Sequence, residues 1–360
     1  MKATTRLYEA GQSLWLDNIT RALLESGGLA RYIADLAVTG LTSNPTIFDL
    51  AIRGGREYDT AIRARGPGLS DEALFLELAI EDLTRAADLF LPIHTATHGV
   101  DGWVSLEVSP KLAYDTARTV VAARELHARA RRPNLFIKIP GTPEGIPAIE
   151  EAIFAGVPIN VTLLFSCEQY VAAAEAYLRG IERRLAAGLD PHVASVASLF
   201  VSRWDVAVAG KVPPALDHRL GIAVAARTYR AYRQLLDSDR WLRLLNRGAR
   251  AQRLLWGSTG TKDPKVSDTL YVTALAAPHT VNTIPEKTLL AFADHGEVGA
   301  MLPADGGDAE EVLGRFRTAG IDLDALATDL QQKGAAAFVT SWDALLACIA
   351  DKRATLRQAG

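Results

Sequence analysis

Short apolar segments alternate with longer amphipathic segments along most of the chain. Eight of the short segments have the length and composition of β-strands, and the segments between them include helical patterns such as Glu168–Ala187. Strands that alternate with helices predict parallel βαβ units, and eight is the strand number of a closed (β/α)8 barrel. We therefore predict an α/β fold, a (β/α)8 TIM barrel with additional helices. The predicted strands are Leu14–Ile19, Val38–Asn44, Trp103–Ser109, Leu135–Pro140, Ile159–Phe165, Val193–Val201, Leu254–Thr259 and Thr280–Ile284.

The chain length agrees with one barrel domain. The 360 residues contain no low-complexity linker, so we predict a single domain over residues 1–360. No glycine-rich motif follows the first strand, which disfavours a dinucleotide-binding fold. The segment of about residues 285–360, especially Ile321–Arg357, continues with helical patterning after the last strand. We predict that this helical tail packs over the barrel or against a partner.

Charge and cysteine content exclude several classes of protein. A formal net charge of −3 argues against a nucleic-acid partner. The two cysteines, Cys167 and Cys348, form neither a disulfide framework nor a metal-binding spacing. The N-terminal residues lack an apolar signal core, and the apolar stretches look too short between charges to span a membrane. These features predict a cytoplasmic protein with no nucleic-acid and no membrane partner.

A lysine interrupts the apolar fourth strand. Leu135, Ile137 and Ile139 alternate in sequence and therefore share one face, which suits packing against the surrounding helices. Lys138 lies on the opposite face, so we predict that it points into the barrel lumen.

The same alternation predicts more inward polar side chains. It also predicts that Leu163 and Leu255 face outward. Barrel interiors are usually filled with branched aliphatic residues, and burying an unpaired charge costs on the order of several kcal/mol. A lysine with two carboxylates in the lumen therefore indicates a functional site, the alternative being an ion pair that only fills the lumen. The predicted inward residues are Asp17, Glu107, Lys138, Asn160, Thr162, Ser198, Phe200, Trp256 and Ser258.

Six motifs, in this order along the chain, resemble those of the transaldolases. The resemblance extends from about Leu14 to Ile284, and the combination is specific although each motif alone is weak. It implies a class I aldolase-type barrel and an activity in the pentose phosphate pathway. The motifs are Leu16-Asp17-Asn18, Thr42-Ser43-Asn44-Pro45-Thr46, Val104-Ser105-Leu106-Glu107-Val108, Phe136-Ile137-Lys138-Ile139-Pro140, Asn160-Val161-Thr162-Leu163-Leu164-Phe165-Ser166 and Ser198-Leu199-Phe200-Val201-Ser202-Arg203.

The resemblance implies catalytic roles for four residues. Lys138 would form a Schiff base with a ketose, and the iminium would act as the electron sink for carbon–carbon cleavage. Asp17 would take the proton of the C4 hydroxyl as the C3–C4 bond breaks. Glu107 and Thr162 would position a water for the proton transfers of imine formation and hydrolysis. This chemistry needs neither metal nor cofactor, so we expect none.

Substrate contacts also follow from the resemblance. Arg203 fits the family position of a phosphate-binding arginine, whose planar fork suits a phosphate group. Many family members carry a second arginine near the position of Gly260, and here Lys262 would supply the charge. The expected substrate-binding residues are Asn44, Asn160, Ser198, Phe200, Arg203, Ser258 and Lys262.

Three functions remain open from the sequence. The first is a transaldolase that moves a dihydroxyacetone unit from sedoheptulose 7-phosphate or fructose 6-phosphate to glyceraldehyde 3-phosphate or erythrose 4-phosphate. The second is an enzyme like fructose-6-phosphate aldolase, which needs no acceptor sugar. The third is a non-catalytic barrel that acts as a binding protein. The expected partners are sugar phosphates, and the expected assembly is a monomer or homodimer.

Overall fold

All eight predicted strands form and close into one parallel barrel. The computed structural model describes residues 1–65 and 68–358. Each strand pairs with the next along the chain, and β1 pairs with β8, so every strand ends at the same side of the barrel. The predicted fold class is therefore confirmed. The strands are β1 (Ser13–Asp17), β2 (Val38–Thr42), β3 (Trp103–Glu107), β4 (Leu135–Pro140), β5 (Ile159–Leu164), β6 (Ser195–Phe200), β7 (Gln252–Gly257) and β8 (Val281–Ile284).

Sixteen α-helices lie along the described residues. Their buried faces and the outward faces of the strands form one large apolar core around the barrel. The helices are α1 (Ala3–Glu9), α2 (Arg21–Glu25), α3 (Gly28–Leu36), α4 (Pro45–Gly54), α5 (Asp59–Arg65), α6 (Asp71–Ala96), α7 (Thr116–Ala130), α8 (Gly145–Phe154), α9 (Cys167–Ala186), α10 (Ser202–Val208), α11 (Leu220–Leu236), α12 (Asp239–Leu245), α13 (Leu270–Ala274), α14 (Glu286–His295), α15 (Ala309–Thr318) and α16 (Leu323–Gln358).

An aromatic cluster fills the amino end of the lumen. The rings of Trp103 and Phe136 stack with their centroids 4.1 Å apart, and Trp15 lies 6.1 Å from Phe136. This floor closes the barrel below the polar inward residues and leaves the carboxyl end for the site. The floor consists of Trp15, Trp103, Phe136, Val196, Leu255 and Val281.

The predicted faces of β7 are wrong at two residues. Leu255 points inward and joins the floor, whereas Trp256 belongs to the outer core and donates from Nε1 to the carbonyl of Leu275 at 3.0 Å. Ser258 nevertheless reaches the site, because it follows the strand with φ of 55°. This left-handed residue changes the direction of the chain, which strict alternation does not allow for.

A second irregularity lies in β5. Leu163 has φ of 58°, and the pairing of β5 with β6 shifts between Val161 and Leu164. Leu164 therefore takes the place in the outer core that was predicted for Leu163. Leu163 instead joins an apolar cluster at the carboxyl end, together with Phe165, Phe200 and residues of α16.

The predicted helical tail packs over the barrel and comprises α14, α15 and α16. Among the described residues, α16 is the one helix long and apolar enough, by length and composition, to span a membrane. Charged residues such as Lys333 and Asp343 interrupt its apolar runs, as the sequence predicts. Trp342, Leu345 and Ile349 of this helix belong to the outer core, which gives its apolar face a partner within the chain. The last predicted residues of the tail, 359–360, lie outside the described residues.

Candidate active site

A cleft of about 320 Å³ opens at the carboxyl end of the barrel. Eight of the eleven predicted site residues line it: Asp17, Asn44, Lys138, Ser198, Phe200, Arg203, Ser258 and Lys262. The other three, Glu107, Asn160 and Thr162, are buried on β3 and β5, the strands that flank Lys138. The structure therefore brings residues from seven strands and the segments that follow them together at one end of the barrel.

Lys138 and Glu107 form a buried pair. Their backbones lie opposite each other in the pairing of β3 with β4, and Nζ of Lys138 lies 3.5 Å from Oε2 of Glu107. Nζ also donates to the carbonyl of Ser43 at 3.4 Å. Each side chain of the pair is about 6–7% exposed. The amine is thus held at the bottom of the cleft by one carboxylate and one carbonyl, as the alternation in β3 and β4 predicts.

Burial changes the proton affinity of Glu107. Removal from water raises the pKa of this carboxyl to about 7, and the charge of Lys138 opposes the rise. The group can therefore gain and lose a proton near neutral pH. On β5, the buried hydroxyl of Thr162 has no hydrogen-bond partner among the described residues. It remains available to a small polar ligand.

Asp17 accepts a hydrogen bond from a hydroxyl group of one neighbouring strand, which contacts a second hydroxyl group from the other neighbouring strand. The hydroxyl of Thr42 donates to Oδ1 of Asp17 at 2.9 Å and lies 2.6 Å from the hydroxyl of Thr283. Burial raises the pKa of Asp17, while the charge of Lys138 and the hydrogen bond from Thr42 oppose the rise. Asp17 still borders the cleft. It is a carboxyl group that a bound substrate can reach.

A hydrogen-bonded row runs across the lumen beside Lys138. The hydroxyl of Ser198 donates to Oδ1 of Asn160 at 2.7 Å, and Nδ2 of Asn160 donates to the hydroxyl of Ser105 at 3.1 Å. All three residues are buried, so the row fixes the Asn160 amide. Ser198 ends the row at the cleft, where its hydroxyl meets the space above Lys138.

The mouth of the cleft is electropositive. Arg203 lies with its guanidinium carbon 5.4 Å from the Phe200 ring centroid, and neither Arg203 nor Lys262 forms an ion pair within the described residues. Burial lowers the pKa of Arg203. Lys262 is exposed at the rim. Two cations without a carboxylate partner suit an anionic substrate group.

Two other predicted contacts also help to shape the local backbone. The side chain of Asn44 accepts a hydrogen bond from the amide of Ile47 at 3.1 Å and so caps α4. The hydroxyl of Ser258 lies 2.9 Å from that of Ser202 at the start of α10. Both residues hold helix starts in position while bordering the cleft.

The cleft also contains residues that sequence reasoning missed, and three of them are Thr42, Thr283 and Phe338. Alternation contained a signal for two of them, because Thr42 is two residues before Asn44 and Thr283 lies two after the inward Val281. Phe338 had no such signal, since it reaches the cleft from α16, whose docking no local pattern specifies. No group of three or more histidine, cysteine or acidic residues suited to a metal occurs within residues 1–65 and 68–358.

Comparisons with known proteins agree with this geometry. The profile of the family described as Transaldolase/Fructose-6-phosphate aldolase matches residues 14–349. A transaldolase of Thermobifida fusca is 45% identical over 97% of this chain and 98% of its own length. Transaldolases of Saccharopolyspora erythraea and Thiobacillus denitrificans are each 44% identical, over 96% and 97% of this chain and over 96% and 100% of their own.

Proposed function

The chain belongs to the transaldolase/fructose-6-phosphate aldolase family, and from that premise we propose that it is a transaldolase. It moves a dihydroxyacetone unit from a ketose phosphate to an aldose phosphate. The donor is sedoheptulose 7-phosphate or fructose 6-phosphate, and the acceptor is glyceraldehyde 3-phosphate or erythrose 4-phosphate. This places the enzyme among the transferases of the non-oxidative pentose phosphate pathway.

One observation carries the proposal: a buried lysine at the bottom of a cleft with polar walls and a cationic mouth. The amine of Lys138 attacks the ketose carbonyl, water leaves, and an iminium forms. The iminium then accepts the electron pair of the C3–C4 bond as that bond breaks. The three-carbon unit stays on the lysine as an enamine until an acceptor aldehyde arrives.

The two carboxyl groups have separate tasks in this proposal. Asp17 takes the proton of the C4 hydroxyl during cleavage and returns it to the new hydroxyl after transfer. Glu107 moves protons during formation and hydrolysis of the imine, through a water that also bonds Thr162. Its position beside Lys138 and its pKa of about 7 support this assignment.

The remaining residues bind the substrate. Ser198 holds the C1 hydroxyl, and Asn44 and Asn160 bond the hydroxyls nearer the lysine. Arg203 and Lys262 bind the phosphate at the mouth. The wall between phosphate and lysine is formed by Phe200 and Ser258, which border the same cleft.

An aldolase that needs no acceptor is the second candidate, because the matching family includes fructose-6-phosphate aldolases. The long relatives at 44–45% identity carry the name transaldolase, which favours transfer. The presence of both Lys138 and Asp17 in the cleft disfavours a non-catalytic barrel.

The deciding experiment compares fructose 6-phosphate alone with fructose 6-phosphate plus erythrose 4-phosphate. A transaldolase makes sedoheptulose 7-phosphate and glyceraldehyde 3-phosphate only with the acceptor. Equal turnover without acceptor, with release of dihydroxyacetone, would identify an aldolase. No turnover of either mixture by folded protein would leave only the binding-protein function.

We also propose a cytoplasmic location and a monomer or homodimer as the working assembly. The balanced charge and the two free cysteines, Cys167 and Cys348, support the location. Sedimentation of the purified protein distinguishes one copy or two from any larger assembly.

A further inference from the structure

The last helix, α16, reaches across the carboxyl end of the barrel and contacts the site directly. Nε2 of Gln331 donates to the carbonyls of Gly141 and Leu163, at 2.9 and 3.0 Å. Gly141 directly follows β4, and Leu163 lies on β5. One buried amide therefore attaches the helix to the strand that carries Lys138 and to the strand beside it.

A glycine lets the helix approach closely at this point. A Cβ atom on Gly334 would lie 3.0 Å from Leu163 and 3.5 Å from both Arg203 and Phe165. Gln331, Gly334 and Phe338 are spaced by three and four residues, so they share one face of α16. The face that is attached to the barrel is thus also the face that carries Phe338.

Phe338 lies above the reactive amine. Its ring centroid is 5.7 Å from Nζ of Lys138, and the side chain borders the cleft. At such a distance a ring face attracts a cation, and its carbon atoms keep water from the space that they fill. Both effects act on the nitrogen that becomes an iminium in the proposed function.

We propose that Phe338 is a specificity-determining residue that favours transfer of the three-carbon unit over its loss to water. This inference rests on the proposed function and adds a cause for the preference. After C3–C4 cleavage the enamine has two fates. In transfer, its carbon forms a bond to the acceptor aldehyde carbon, and the aldehyde oxygen gains a proton. The new iminium is then hydrolysed, so that the ketose phosphate leaves with its carbonyl restored and Lys138 regains its amine.

In the competing path, the enamine carbon takes a proton and the iminium returns. Water then adds to the imine carbon, the carbon–nitrogen bond breaks, and dihydroxyacetone leaves with its carbonyl restored while Lys138 regains its amine. Both paths end in hydrolysis of an iminium, so they differ at the enamine carbon, which takes a proton from water in the competing path and the acceptor aldehyde in transfer. A ring held above Lys138 by the attached helix limits the access of water to the enamine.

The test measures two rates with fructose 6-phosphate: dihydroxyacetone release without acceptor, and sedoheptulose 7-phosphate formation with erythrose 4-phosphate. We define the leak as the rate of dihydroxyacetone release divided by the rate of sedoheptulose 7-phosphate formation. In Phe338→Ala the leak should rise by about threefold or more, the lower part of the range for a cation–ring contact. Phe338→Leu keeps apolar bulk without a ring, so its leak should stay nearer that of the parent protein.

Gln331→Ala removes the attachment of α16 without altering a cleft residue. Its leak should rise in the same direction as that of Phe338→Ala. Val339→Ala is the matched control, because this neighbour on α16 does not border the cleft; its leak should not change. Thermal unfolding of each variant identifies any that fails to fold, and the remaining variants then decide.

An unchanged leak in folded Phe338→Ala and folded Gln331→Ala would overturn the inference while leaving the transaldolase function intact. A leak equal in Phe338→Leu and Phe338→Ala would overturn the water-exclusion part and assign the effect to the ring face. Absence of transfer in the parent protein itself would instead mark failure of the proposed function.

Discussion

The two ends of the barrel lumen both bury a carboxylate, but they partner it differently. At the amino end, Asp101 accepts hydrogen bonds from the hydroxyl of Ser13, from the Trp15 indole at 2.8 Å and from the Gly102 amide at 3.1 Å. At the carboxyl end, Glu107 faces the Lys138 amine at 3.5 Å, and burial raises its pKa to about 7. Three hydrogen-bond donors thus fix the first group in place, whereas the second lies beside an amine and has a pKa near neutrality.

The arginines of the two ends show the same contrast. Arg253 at the amino end donates to the carbonyls of Val100 and Thr280 and to the hydroxyl of Ser13. The guanidinium of Arg203 at the carboxyl end donates no hydrogen bond to a described residue. The larger cavity, about 520 Å³, lies at the amino end, where apolar walls and engaged arginines surround it. Uncommitted polar groups therefore identify the site better than volume does.

The largest expected effect is a loss of turnover when a carboxyl group at the carboxyl end of the barrel is replaced. Asp17→Ala should lower turnover by about 10²–10⁴-fold, the usual contribution of a general acid–base group. The variant should still form the Lys138 adduct and accumulate it, because the proposed function assigns Asp17 to bond cleavage, after the imine has formed. Glu107→Gln should instead slow formation of the adduct. Rapid-quench borohydride trapping measures both rates, and the reverse pattern would exchange the two assignments.

The amino end should respond to substitution with lost stability. Trp15→Ala removes a fully buried ring and one donor to Asp101, so the free energy of unfolding should fall by about 3–5 kcal/mol. Protein that remains folded should still form the adduct. Leu242→Ala, at an exposed helical residue, is the control and should change stability by about 0.5 kcal/mol or less. Urea unfolding provides the values. A Trp15→Ala variant that is as stable as the parent protein but inactive would contradict the assignment of stability to the amino end and of chemistry to the carboxyl end.

Arg203 and Lys262, the two cations at the mouth of the cleft, should contribute unequally to binding of the substrate phosphate. Arg203→Ala should raise KM for fructose 6-phosphate by about ten- to a hundredfold, the value of charged hydrogen bonds in a partly buried site. Lys262→Ala should raise KM by about fivefold or less, because its charge is exposed. With unphosphorylated fructose as donor, neither substitution should matter. Equal effects on both donors would remove the phosphate assignment.

A further expected effect is a pH dependence of stability. The pKa of Glu107 rises from its ordinary value near 4.5 to about 7 on folding, so the folded state binds this proton more tightly. This carboxyl therefore lowers the free energy of unfolding as pH rises from about 4.5 to about 7. Glu107→Gln removes that slope. The free energy of unfolding of the variant, relative to that of the parent protein, should therefore rise as pH increases from about 4.5 to about 7. Parallel stability curves would contradict the raised pKa.

Strand alternation predicted the site where the strands are regular. Lys138 and Glu107 lie on uninterrupted strands, so a period of two residues identifies their faces. The prediction failed for Leu163 and Trp256. In β5 the left-handed Leu163 and a shift in pairing change the face. In β7 the left-handed Ser258 breaks the alternation, so the inward position of Ser258 does not extend back to Trp256. No local apolar pattern specifies either change.

Residues that reach the site by tertiary packing were beyond the sequence pattern. Phe338 enters from α16, and the docking of that helix at Gln331 and Gly334 brings the ring above Lys138. The strands thus provide the predictable half of the site, and the long-range contacts of α16 provide the rest.

Mapping of the reduced adduct tests the central claim, that chemistry begins at Lys138. Protein is incubated with fructose 6-phosphate, reduced with borohydride and digested with trypsin. Because trypsin does not cut after a modified lysine, the account predicts one peptide from Arg132 to Arg179 that carries the added mass, and its absence in Lys138→Ala and Lys138→Arg. An adduct on another lysine, or one that persists in either variant, would contradict it.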